Sequence, residues 1–118
     1  MPINSKQKGA RFERELAKAL QEYGYDTRRT AQYCGKTGDA ADVVGLDGIH
    51  IEAKHCETMR LYDWMSQAVR DSAGGENLPA VFHKKNREGI LVTMRMQDFM
   101  KLYAGWRDSI ESKGKEKV

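Results

Sequence analysis

No stretch of this chain approaches the roughly 20 consecutive apolar residues that a membrane-spanning helix needs. The opening residues, Met1-Pro2-Ile3-Asn4-Ser5-Lys6-Gln7-Lys8, lack the apolar segment of a signal peptide. Together these absences predict a cytoplasmic protein with no membrane partner. Cysteine is scarce, with only Cys34 and Cys56. A small secreted domain held by disulfides usually carries more, so both are expected as free thiols in a reducing compartment. A zinc site from Cys34, Cys56, His50 and His55 would ordinarily be announced by a CxxC or HxxxH pair, and neither is present. A strong charge of one sign is also missing, since the net charge is only +3. Bulk charge therefore excludes nothing by itself. The distribution says more, because basic residues gather at Lys6, Lys8, Arg11 and Arg14, at Arg28-Arg29, and at Lys84, Lys85 and Arg87. Such clusters suit a phosphate backbone, and they also suit an ordinary solvated surface.

What is present fits one folded domain: 118 residues, 40% hydrophobic and 31% charged. Residues 1–8 read as a flexible lead-in. From Gly9 onward Phe12, Leu16, Leu20 and Tyr23 recur at helical spacing, and Gly24 stops the helix. Tyr25 to Thr30 reads as a short strand and Tyr33 to Asp39 as a glycine-containing loop. Asp39 to Val44 and Ile49 to Lys54 read as two strands joined by the Asp47-Gly48 turn. Leu61 to Ala73 is a second helix with Leu61, Met65, Ala68 and Ser72 along one side, ended by Gly74-Gly75. Ala80 to Lys84 and Ile90 to Met94 follow as strands, and a last helix begins over Asp98 to Tyr103. The tail beyond Trp106 is charged and expected to fray. Both tryptophans, Trp64 and Trp106, are expected in packing. The order predicts an α/β domain with a central mixed β-sheet flanked by α-helices.

The chemistry centres on Ile49-His50-Ile51-Glu52-Ala53-Lys54. Side chains alternate along a strand, so Glu52 and Lys54 share a face, about 7 Å apart, while Ile49, Ile51 and Ala53 turn the other way. A surface ion pair would look the same. Asp42 weighs against that bland reading, because it interrupts the apolar segment Ala40-Ala41-Asp42-Val43-Val44 and a buried carboxylate there needs a partner. The Asp47-Gly48 turn folds Asp42 back towards Glu52. Glu13 has Leu16, Ala17 and Leu20 as its helical neighbours, so it borders the buried face, whereas Glu15 points to water. Three converging carboxylates and a lysine make a hard-cation site suited to Mg²⁺, with Mn²⁺ as a substitute.

Lys8-Gly9-Ala10-Arg11-Phe12-Glu13, followed by Asp42-Val43-Val44 and Ile51-Glu52-Ala53-Lys54, resembles the archaeal-type Holliday junction resolvases and their phage relatives. These belong to the PD-(D/E)xK nucleases of the restriction-endonuclease-like fold. The resemblance is firm from Lys8 to Lys54 and looser to Tyr103. It implies a nuclease domain over residues 9–106 followed by a charged tail over 107–118. It implies metal ligation by Glu13, Asp42 and Glu52, a catalytic role for Lys54, and an accessory role for Gln67 on the second helix. DNA contacts are expected from Arg14 and from Arg28 or Arg29, with Lys8, Arg11, Lys84 and Lys85 as further basic candidates. The archaeal enzymes often carry a serine after the first strand. Here Thr30 and Thr37 are the nearest hydroxyls of that type, and neither takes the role by position alone. The expected activity is metal-dependent cleavage of branched DNA by a homodimer, in the bacterial cytoplasm or that of a phage host. Other nucleases of the fold, acting as nickases or on flaps, remain open, as does a non-catalytic DNA-binding module.

Overall fold

The computed structural model describes residues 5–30 and 41–116, with side chains over 7–30 and 41–114. Expectations for Cys34, Thr37, the 33–39 loop and the start of the second strand lie outside the described residues. The elements run α1 (Ser5–Glu22), β1 (Arg28–Arg29), β2 (Val43–Val44), β3 (Ile49–His55), α2 (Leu61–Asp71), β4 (Leu78–Lys84), β5 (Leu91–Met94) and α3 (Met96–Glu116). The sheet order is β1-β2-β3-β4-β5. β3 and β4 are parallel, and the other neighbours are antiparallel. A parallel pair cannot be joined by a tight turn, and α2 supplies the crossover between β3 and β4. The sheet is therefore mixed and flanked by helices, as the sequence predicts. No helix among the described residues is long and apolar enough to cross a membrane.

Each face of the sheet has its own apolar contact. Phe12, Leu16 and Ala17 of α1 bury against Val43, Ile51, Ala53, Ala80 and Phe82. Trp64 and Ala68 of α2 bury against Val81 on the other face. The α1 stripe ends one turn early: Tyr23 is exposed, because Gly24 turns the chain away at φ +99°. α1 itself begins at Ser5, ahead of the expected Gly9. Ile90 packs against the α1-side core, Met65 packs beside Trp64, and Val92 is exposed.

Two contacts tie the short β1 segment to α1: Thr27 Oγ1 donates to the Ala17 carbonyl at 2.6 Å, and Gln21 Nε2 donates to the Thr27 carbonyl at 2.7 Å. Gly45, just after β2, makes a close approach to the same segment. Its φ is +107°, and a Cβ there would lie 2.1 Å from the Asp26 carbonyl oxygen and 2.7 Å from Thr27 Cα. Both the dihedral and the contact exclude a side chain. Gly45→Ala is expected to cost at least about 2 kcal/mol of folding stability. Urea unfolding measures this, and an unchanged midpoint would contradict the close approach.

α3 departs from expectation. It runs to Glu116, through the tail expected to fray, and Trp106 is exposed where packing was expected. Every described side chain from Phe99 to Gly114 is exposed. The reason is geometric: only Arg95 separates β5 from α3, and the helix leads away from the sheet instead of returning over it. The long dimension of the molecule is accordingly 63 Å against 33 and 27 Å. Its radius of gyration is 16.0 Å, where a compact chain of this length would have about 13 to 14 Å.

Candidate active site

A cleft of about 390 Å³ opens where β3 ends, lined by Gly9, Ala10 and Glu13 of α1, Asp42, Ala53 to Cys56, and Trp64 and Gln67 of α2. Each side chain reaches it for a local reason. Glu13 lies on the flank of the buried α1 stripe and is itself buried, accepting a hydrogen bond from Arg29 Nε at 2.6 Å. Asp42 is held by its backbone between two strands: its N–H donates to the Ile51 carbonyl at 2.9 Å and its carbonyl accepts from Thr30 N–H at 3.0 Å. That pairing leaves its side chain over β3, where Oδ2 accepts from Ala53 N–H at 2.8 Å. Lys54 projects to the α2 side, and its Nζ donates to Gln67 Oε1 at 3.1 Å.

Glu52 lies deeper and does not line the cleft. It is 1% exposed, one of the most buried side chains described. Its Oε1 is 3.2 Å from His50 Nε2, and its Oε2 is buried with no hydrogen-bond partner among the described residues. Asp42 senses this neighbour. Its pKa is pushed up from 3.8 to about 7, first by burial and then by the Glu52 charge, against the lowering effects of the Ala53 N–H and Lys54. Two carboxylates held this close repel one another, and Lys54 offsets that only in part. A bare acceptor oxygen in that position is what a divalent cation would satisfy.

The structure thus brings Asp42, Glu52 and Lys54 together and places Glu13 and Gln67 around the same cleft. It also engages Glu13 with Arg29. Sequence reasoning did not foresee that His50 and Asp71 meet Glu52, the three offering ligand atoms within 4.8 Å of one another. The signal was available: His50 is two residues before Glu52 on the same strand face, and Asp71 is one helical turn after Gln67. Cys56 is a free thiol, and His55 pairs with Asn86 Oδ1 at 2.8 Å. Neither joins this group.

Among the basic residues, Arg11 and Arg14 are exposed along α1, Lys8 is half-buried beside the cleft-lining Gly9, and Arg28 and Lys85 are exposed. Two of the expected DNA contacts are instead used inside the protein. Arg29 is paired with Glu13, and Lys84 Nζ lies 3.1 Å from Glu15 Oε1, so Glu15 is not simply solvated.

A family model described as a phage putative PDDEXK endonuclease matches residues 4–117. The chain belongs to that endonuclease family. Among solved structures it is similar to Archaeoglobus fulgidus Hjc, a Holliday junction resolvase from an archaeal hyperthermophile. The identity is 27% and the TM-score 0.56, over 74% of this chain and 72% of that one. A search of curated proteins finds no match. The restriction-endonuclease-like fold and the nuclease class expected from the motifs both follow from these likenesses.

Asp42 contributes a pH dependence to the stability of the metal-free chain. The unfolded chain releases this proton near 3.8, whereas the folded chain keeps it to about 7. Between those values the folded state binds the extra proton, so this group makes stability fall as pH rises from about 4 to about 7. A cation bound at this carboxylate would displace the proton, so divalent-cation affinity is expected to rise with pH across the same window and level above it. Calorimetric titration with Mn²⁺ at a series of pH values checks this. A flat affinity between about pH 5.5 and 7.5 would contradict it.

Proposed function

We propose that this nuclease is a divalent-cation-dependent endodeoxyribonuclease that hydrolyses phosphodiester bonds in branched DNA, four-way junctions foremost, and that it works as a homodimer in the cytoplasm. The observation that carries the reading is the Asp42–Glu52 carboxylate pair, with the buried Glu52 Oε2 lacking a hydrogen-bond partner among the described residues, two residues along β3 from Lys54 and on the same face. A non-catalytic DNA-binding module has no use for such a pair, because clustered carboxylates repel phosphate. The likeness to a junction resolvase supports branched DNA over plain duplex. Nickase or flap cleavage by the same site is the second reading, and the second half of the chain, from Tyr62-Asp63-Trp64 onward, does not match the resolvase pattern closely enough to remove it.

Asp42 and Glu52 would hold Mg²⁺ or Mn²⁺, with Glu13 contributing when freed from Arg29. Such an ion supplies positive charge to the scissile phosphate and acidifies an attacking water. Asp42 Oδ2 stays tied to Ala53 N–H, which fixes the carboxylate plane. Lys54 Nζ, held by Gln67, retains donors to orient the water or neutralise charge growing on the phosphate. Lys8, Arg11 and Arg14 on α1 and Arg28 and Lys85 would contact the DNA backbone, while Arg29 and Lys84 would do so after exchanging their carboxylate partners for phosphate. A two-fold dimer presents two sites with the symmetry of a junction's paired cuts.

A labelled panel of four-way junction, flap, duplex and single strand, each with and without Mg²⁺, tests the proposal. The expected result is metal-dependent cutting, strongest and paired on the junction. Cutting confined to flaps or single nicks in duplex would move the reading to the alternative. No cutting of any substrate with either metal would remove it.

A further inference from the structure

Among the described residues, nothing covers the apolar side of α3. Met96, Phe99, Tyr103, Trp106 and Ile110 follow one another at spacings of three, four, three and four, and all five are exposed, from 39% for Ile110 to 80% for Met96. That alternation is the a/d repeat of a two-helix seam, two heptads long. The rings already touch along it, Phe99 to Tyr103 at 6.4 Å and Tyr103 to Trp106 at 5.8 Å between centroids. Its first turn is capped at Arg95: the buried Asp98 accepts from Arg95 Nε at 2.8 Å, and the Asp98 and Phe99 N–H groups donate to the Arg95 carbonyl.

We infer that α3 is the dimerisation arm, and that its Met96-Phe99-Tyr103-Trp106-Ile110 stripe packs against the same stripe of a second copy of this chain. This rests on the dimeric reading above and gives it a surface. A stripe with this alternation is self-complementary, as a two-fold interface between identical subunits requires. Its size is sufficient. Three aromatics and the neighbouring Met96, Met100, Leu102 and Ile110 leave roughly 600 Å² per copy open to burial, about 1,200 Å² for the pair, which reaches the range of stable interfaces. An isolated apolar patch of that extent on a monomer is uncommon.

The seam is tested by light scattering and sedimentation of the full chain at micromolar concentration. The wild type is expected as a dimer. Trp106→Glu and Tyr103→Glu are expected to weaken it at least tenfold, with helix content checked by far-ultraviolet circular dichroism. Loss of association through misfolding is separated by a gain-of-function variant. Lys113 occupies the next seam position, so Lys113→Leu is expected to tighten the dimer, while Asp108→Leu on the opposite face is not. Tyr62→Glu, an exposed α2 residue off the seam, is expected to stay dimeric. A monomeric wild type, a dimeric Trp106→Glu, or Lys113→Leu no tighter than Asp108→Leu would each overturn the assignment. Cleavage of the labelled panel of four-way junction, flap, duplex and single strand with Mg²⁺ is measured on the same proteins. A dimer that cuts no member of the panel would sink the nuclease reading alone, and a cutting monomer the seam alone.

Discussion

Glu52→Gln is expected to reduce Mg²⁺-dependent cleavage by at least about 10³-fold, with DNA binding largely retained. The amide keeps the shape of the side chain and loses its charge. Several kcal/mol of charge stabilisation at the phosphate depend on the ion this carboxylate would hold, and each 1.36 kcal/mol is about tenfold in rate. The variant carries a second signature. Removing the charge beside Asp42 removes one cause of that residue's raised pKa, so the metal-free variant is expected to be as stable as the wild type or more so. Asp42→Asn is expected to match the loss of cleavage. Single-turnover cleavage with gel-shift binding, alongside thermal melting, reads all three effects. A variant that cuts at near the wild-type rate would exclude Glu52 as a ligand. One that melts early would mean that the buried Glu52–His50 contact holds the fold together.

Lys54→Ala is expected to lose at least about 10²-fold in turnover while still binding Mn²⁺, the scale of loss for a positioned proton-transfer or charge-stabilising group. Lys54→Arg is expected to rescue little. A guanidinium is planar, does not release its proton, and does not fit the compact position that Gln67 Oε1 holds at 3.1 Å. Metal titration and single-turnover rates on the two variants separate the effects. Equal rates for alanine and wild type would reduce Lys54 to a structural partner of Gln67.

Much of the site was legible because a strand has a period of two and a hairpin turn has a direction. The Glu52-x-Lys54 triplet on one strand face, and Asp42 folded back by Asp47-Gly48, follow from local rules, and the register Val43↔Ile51 sets Asp42 beside Glu52. Glu13 on the border of a buried helical stripe was legible for the same reason. Partner choice was less so. Arg29 and Lys84 read as free basic residues, yet they meet Glu13 and Glu15 across separations of 16 and 69 residues. A local pattern carries no information about which charge lies opposite after folding. The depth of Glu52 was hidden too, because burial of the β3 face depends on α2 settling over it.

Composition, the α1 stripe, the Asp47-Gly48 turn and the spacing of Glu13, Asp42, Glu52 and Lys54 pointed to an α/β domain with clustered carboxylates and a lysine, and the resemblance of those motifs to a known family added the nuclease class. These signals are short-range, set by helical and strand periodicity and by turn chemistry, so they survive in one dimension. Tertiary structure alone decided what each group faces. It closed Arg29 on Glu13, buried Glu52 Oε2 beside Asp42, and drew His50 and Asp71 to the same carboxylate. It also turned α3 away from the sheet. The apolar spacing along that helix is visible in the sequence, but whether it covers its own core or faces outward depends on how the chain leaves β5 through the one-residue connection at Arg95. That path exists only once the chain has folded.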